Sequence, residues 1–179
     1  MAEAFINQVN RAVGIVTSSS NASIGVGLTW MSGISTAHVA IHDIVDNANF
    51  IAGTKVTFVG VSSVQLDRAS TNTVAATASN VSFLGPTTSY TSASATKSIL
   101  IGGTFANNTA NSVNLTVTVY DNSAETESQL AAKITVPTGS SFVISDAGKT
   151  VLEGDDELRV YCDTENAIDV NLSILKGVS

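Results

Sequence analysis

A chain of 179 residues that is 44% hydrophobic and 13% charged, with 2 prolines, is long enough for one or two globular domains and too apolar to be disordered. Its 8 Lys and Arg stand against 15 Asp and Glu, a net charge of −7 that supplies no basic stripe for a phosphate backbone and argues against DNA or RNA as a partner. No apolar run approaches the roughly 18 residues of a membrane span, and the opening MAEAFINQVNRAVG has an early acid and no long apolar core; a soluble chain made in a cytoplasm is expected.

Ser and Thr together number 44 and Gly 13, a composition of short strands joined by polar turns, so the expected class is all-β. At the N-terminus, Phe5, Ile6, Val9 and Val13 form an apolar stripe. A terminal segment that keeps such a stripe has something to pack on, which makes these residues candidates for oligomer formation or attachment; the alternative is a strand or short helix folded onto its own domain. Strands are expected in AVGIVTS, SIGVGLTWM, IAGTKVTFVG, SVQLDR and NVSFLG. Trp30, in GLTWMSG, is either core or an interface anchor, and with the tyrosines at 90, 120 and 161 it would make a sugar-stacking platform if they were exposed together. The stretch STAHVAIHDIVDN fits neither the helical nor the strand period and is left open.

At FLGPTTSYTSASATKS the apolar pattern breaks at Gly85 and Pro86, which sets an expected boundary between a first domain, 1–85, and a second, 86–179. In the second block Val113, Leu115, Val117 and Val119 alternate with polar residues and Tyr120, as do Ile168, Val170, Leu172 and Ile174. With SILIGGTFAN, QLAAKITV, SFVIS, TVLE and LRVYC between these two, and turns at PTGS, SDAGK and EGDDE, they make seven short strands, a pattern that suits an antiparallel β-sandwich. Strand alternation places Val117 inside and Thr118 outside.

Little in this chain reads as chemistry. Cys162 is the single cysteine and sits at a strand position, as a buried structural thiol does. His38 and His42, with Asp43 and Asp46 nearby, lack a clear third ligand and the Glu of a metalloprotease, so no metal is expected there. The turn with Glu153, Asp155, Asp156 and Glu157 lacks the spaced ligands of a calcium loop and reads as solvated. No catalytic residues, cofactor or metal site are assigned.

Residues 33–73, GISTAHVAIHDIVDNANFIAGTKVTFVGVSSVQLDRASTNT, resemble a small β module of bacteriophage structural proteins: Ile51, Ala52, Gly53, Thr54 and Val56 match, while the turn His42-Asp43-Ile44-Val45 lacks the usual Gly. The second block, with IGGTFANNTANSVNLTVTVYD, ITVPTGSSFVI, KTVLEGDDELRVYC and IDVNLSIL, resembles β-sandwich virion proteins of tailed phages, cyanophages in particular. The resemblance implies a small β-barrel-like module followed by a sandwich. It also implies a non-enzymatic decoration or accessory subunit on the capsid, neck or tail of a virion assembled in the host cytoplasm. The alternative is a receptor- or glycan-binding fibre or spike module. Expected partners are other virion proteins and further copies of the chain, in a trimer or a ring, with neither nucleic acid nor membrane involved.

Overall fold

The computed structural model describes residues 3–145 and 149–178 and is all-β, with every strand pairing antiparallel. It falls into two compact units, and the first of them is discontinuous in sequence: residues up to Gly14 join those from Thr87 onward, while Ile15–Pro86 form the other.

The discontinuous unit begins with β1 (Ala4–Val13) and continues with β8 (Thr87–Thr91), β9 (Lys97–Asn107), β10 (Val113–Asp121) and β11 (Thr126–Val136). β12 (Ser141–Ile144), β13 (Thr150–Leu152), β14 (Glu157–Cys162) and β15 (Ile168–Val178) complete it. One sheet has the order β1-β15-β9-β12, with β13 also against β9, and the other the order β11-β10-β14-β8. Alternation explains both, with a register shift in β9 against β15 that brings Leu100 to the same face as Phe105. Leu115 and Val117 of β10, Leu158 and Val160 of β14, Leu100 and Phe105 of β9, and Val170, Leu172 and Ile174 of β15 meet in one buried cluster drawn from both sheets. Each such side chain contributes about 1.5–3 kcal/mol on leaving water. The expected turn at 145–149 lies partly outside the described residues.

The grouping of residues 1–85 differs from this arrangement. β1 pairs with β15 from Ala4↔Lys176 to Val13↔Ile168, which carries the N-terminal segment into the second block's sheet. The chain leaves that unit at Gly14, whose φ is +135° and whose added Cβ would stand 2.1 Å from the Thr164 carbonyl oxygen; only glycine fits. It returns next to Pro86, so the break in the sequence does lie at a unit border. The Ser- and Thr-rich stretch after it is not merely a linker, because β8 pairs with β14 there and Tyr90 hydrogen-bonds through its hydroxyl to Ser98 Oγ at 2.8 Å.

The second unit contains β2 (Ile15–Ile24), β3 (Trp30–Ser32), β4 (Ile44–Asp46), β5 (Val56–Val59), β6 (Ser63–Leu66) and β7 (Ala76–Gly85), in the sheet order β4-β7-β2-β3-β6-β5. Its sheet is not closed by a continuous ladder, although its two edges touch: Ile44 bridges Lys55, and Val45 N–H donates to the Thr54 carbonyl at 2.8 Å. Ile24, Met31, Val45, Phe50, Val56, Val64, Leu66 and Phe83 form its core. The stretch left open between helix and strand is two successive turns followed by β4, the turns closed by Val39 N–H to the Thr36 carbonyl at 3.1 Å and Asp43 N–H to the Ala40 carbonyl at 3.3 Å. His38 and His42 occupy left-handed positions in these turns, with φ of 66° and 77°. The residues that carry the phage resemblance are framework: Gly53 turns at φ 82°, Thr54 donates its hydroxyl to the Ile51 carbonyl at 2.8 Å, and Val56 enters the core.

Candidate interaction surfaces

Strand parity sorts the N-terminal stripe onto two faces. Phe5 and Val9 are outward, 76% and 60% exposed, whereas Ile6 packs against the core and Val13 is buried in it. Val13 shares the parity of Phe5 and Val9 and would point outward too, but a register shift between Asn10 and Val13, with Ala12 at φ 56°, turns it inward. The stripe is therefore half core and half surface.

Cross-strand pairing extends the surface half. Phe5 lies opposite Leu175, Leu175 opposite Ile99, and Ile99 opposite Val151, so one apolar row crosses the outer face of the sheet. Its two ends, Phe5 and the 52%-exposed Val151, are open to water. A second row on the same face, Val9, Asn171, Thr104 and Val143, has polar residues in its middle and is separated from the first by Asn7, Ser173 and Gly102. A solvated sheet face normally carries polar residues at such positions. This row was not visible in the sequence, because Leu175, Ile99 and Val151 meet Phe5 only through a pairing order that links the first strand to the last.

Trp30 belongs to the other unit and is 45% exposed, so it is not core. Its ring meets Phe58 edge-on, with centroids 6.0 Å apart, and both residues pair with Gln65 on the strand between them. Phe58, not a tyrosine, is the aromatic beside Trp30. Tyr161 is buried, and Tyr90 and Tyr120 are half-buried members of the discontinuous unit.

Residues with chemical potential serve the framework. Asp43 is buried and accepts from Ala40 N–H at 2.9 Å; burial raises its carboxyl above the usual carboxylate value, against the lowering effects of that bond and of His42. Asp156, in the acidic turn, accepts from Asn122 N–H at 3.1 Å and Glu153 N–H at 2.9 Å, which ties the turn to the end of β10. Glu153 takes an ion pair from Lys97 at 2.8 Å. Cys162 is buried, and desolvation pushes its thiol up to about 11, far from nucleophilic use near neutral pH. Among the described residues, no group of three or more His, Cys, Asp or Glu side chains is placed to hold a metal.

Thr118 lies on the outer face of its sheet, as alternation expects, but it is not open to water: it is as buried as Val117. On the outer face of β11-β10-β14, Thr118 and Tyr161 both donate hydroxyl hydrogen bonds to Glu127 Oε1. Arg159 Nε donates to Glu157 Oε2 at 2.7 Å, Arg159 Nη1 stands 3.7 Å from Glu127 Oε2, and the guanidinium lies 3.8 Å over the Tyr120 ring. Long polar side chains thus roof a sheet face that alternation alone assigns to water. Burial works against the Arg159 charge, but the hydrogen bond and charge of Glu157, with the charge of Glu127, outweigh it and hold the group more firmly protonated. Burial, with Glu127 beside it, raises the Tyr161 phenol well above its ordinary value.

Comparison with known protein families, with curated proteins and with solved structures finds no match to the chain.

Proposed function

We propose that the chain is a non-enzymatic structural component of a tailed-phage virion, an accessory subunit that attaches to the capsid, neck or tail surface and stabilises the particle. The carrying observation is the apolar row Phe5, Leu175, Ile99 and Val151 on the outer face of a sheet, a surface whose burial stabilises an assembly. The sequence resemblance to virion proteins supports the same reading, as does the use of Asp43, Asp156 and Glu127 in framework bonds. In this reading the discontinuous unit is a β-sandwich, supported by the single core its two sheets share. The inserted unit is barrel-like, supported by the bonds between its edge strands. The partners are other virion proteins and further copies of the chain, and the location is the virion.

A second reading, a receptor- or glycan-binding module, is favoured by one observation: Trp30 and Phe58 flank Gln65 on an exposed face, apolar rings beside a polar amide, as sugar-binding faces require. The variants Val151→Glu with Val143→Glu, and Trp30→Ala, separate the two. Both alter exposed side chains and should leave the thermal unfolding midpoint within a few degrees. The accessory reading expects the double variant to lose at least half its occupancy on purified particles. Full occupancy, together with loss of host-glycan binding by Trp30→Ala, would transfer the assignment to the second reading.

A further inference from the structure

Four strand edges bound the two sheets of the discontinuous unit, and β1 is built unlike the other three. β12 and β13 have four and three residues, β8 has five, and β11 is interrupted by two register shifts. Short strands and bulges are common means of keeping a sheet edge from pairing with another chain. β1 keeps an unbroken register from Ala4 to Asn10, a stretch with no proline or lysine; β8 and β14 of the other sheet also approach it, but among the described residues β15 is the one strand that pairs with it.

We propose that β1 is the interface between two copies of this chain, paired edge to edge and antiparallel about a two-fold axis that passes by Asn7 perpendicular to the sheet. Charge complementarity selects both the occupant and the register. With Asn7 on the axis, exposed Glu3 faces the partner's Arg11 and exposed Arg11 faces the partner's Glu3, while Phe5 faces the partner's Val9. A slip of two residues in one direction sets Glu3 against Val9, and in the other sets Arg11 against Phe5. A slip of one residue pairs outward side chains with inward ones. One register alone matches both charges and both exposed apolar side chains. It also extends the apolar row Val151, Ile99, Leu175 and Phe5 by the partner's Val9, beyond which the partner's row turns polar at Asn171 and Thr104. This pairing concerns the free chain and goes beyond the virion reading.

The test uses the purified full-length chain in sedimentation velocity over a concentration series. A concentration-dependent dimer is expected. Glu3→Arg alone and Arg11→Glu alone should each weaken it at least about tenfold, because like charges then stand opposite each other twice, and the double variant should restore it. Asn7→Cys under oxidation should give a disulfide-linked dimer, since residues opposite in an antiparallel pair have Cα atoms roughly 4.5–5.5 Å apart. Phe5→Cys and Val9→Cys should cross-link when mixed and not separately; the buried Cys162 does not compete. A chain that is monomeric at every concentration, single variants without effect, or a double variant that stays dissociated would each overturn the pairing. A monomer that still occupies particles would overturn it while leaving the virion reading intact.

Discussion

Arg159 and Asp43 are two charged groups held inside the fold, and their environments make opposite demands on stability. Arg159 balances Glu127 and Glu157 under the Tyr120 ring, so Arg159→Ala leaves Glu127 with its hydroxyl donors but without the Arg159 charge. Breaking a buried pair this way costs on the order of 3 kcal/mol, readable as a shift in the urea midpoint. Thr118→Asp should unfold the unit as surely as Val117→Asp, because it sets a carboxylate against Glu127; a stable Thr118→Asp chain would show the roof to be loose. Asp43 runs the other way. Its folded pKa lies above the ordinary 3.8, so the folded state holds the proton more tightly, and the stability this contributes below that value is lost as pH rises through the folded pKa. Asp43→Asn keeps the acceptor for Ala40 N–H and carries no charge. Relative to the parent it should gain stability between about pH 4 and pH 7, and a loss of stability at neutral pH would contradict the burial argument.

Among the strands, β1 links the sheet to the chain's first residues. Deleting residues 1–13 removes Ile6 and Val13 from the core and uncovers the edge of β15, so the thermal midpoint of the unit should fall by ten degrees or more, on the order of several kcal/mol in a unit of this size. Unchanged unfolding would mean that the segment is an appendage. This element also marks where sequence reading succeeds and where it stops. β10 and β15 were legible because Val113 to Val119 and Ile168 to Ile174 alternate without interruption. The exposure of Trp30 was one of two alternatives the sequence left standing. β8 was hidden by its polar Thr and Ser residues, which pair through backbone and hydroxyl groups that hydrophobic periodicity does not register. The inward turn of Val13 depends on a bulge, and the burial of Thr118 depends on Glu127 and Arg159 folding over it; neither leaves a period in the sequence.

At the scale of the molecule, the apolar row and the paired edge give one account. A strand-rich chain places polar and ionic groups in framework bonds and leaves apolar side chains in line on a sheet face, and in the proposed role it would act through the surface it covers. The row cannot be assembled by β1 alone or by the C-terminal block alone, so the discontinuous unit is the working part of this account. The most direct test is electron cryomicroscopy of intact tailed-phage particles whose genome encodes the chain. The account predicts multiple symmetry-related copies in the particle, each with Phe5, Leu175, Ile99 and Val151 covered by a neighbouring subunit. Particles without the chain, or copies whose row faces open solvent, would contradict it.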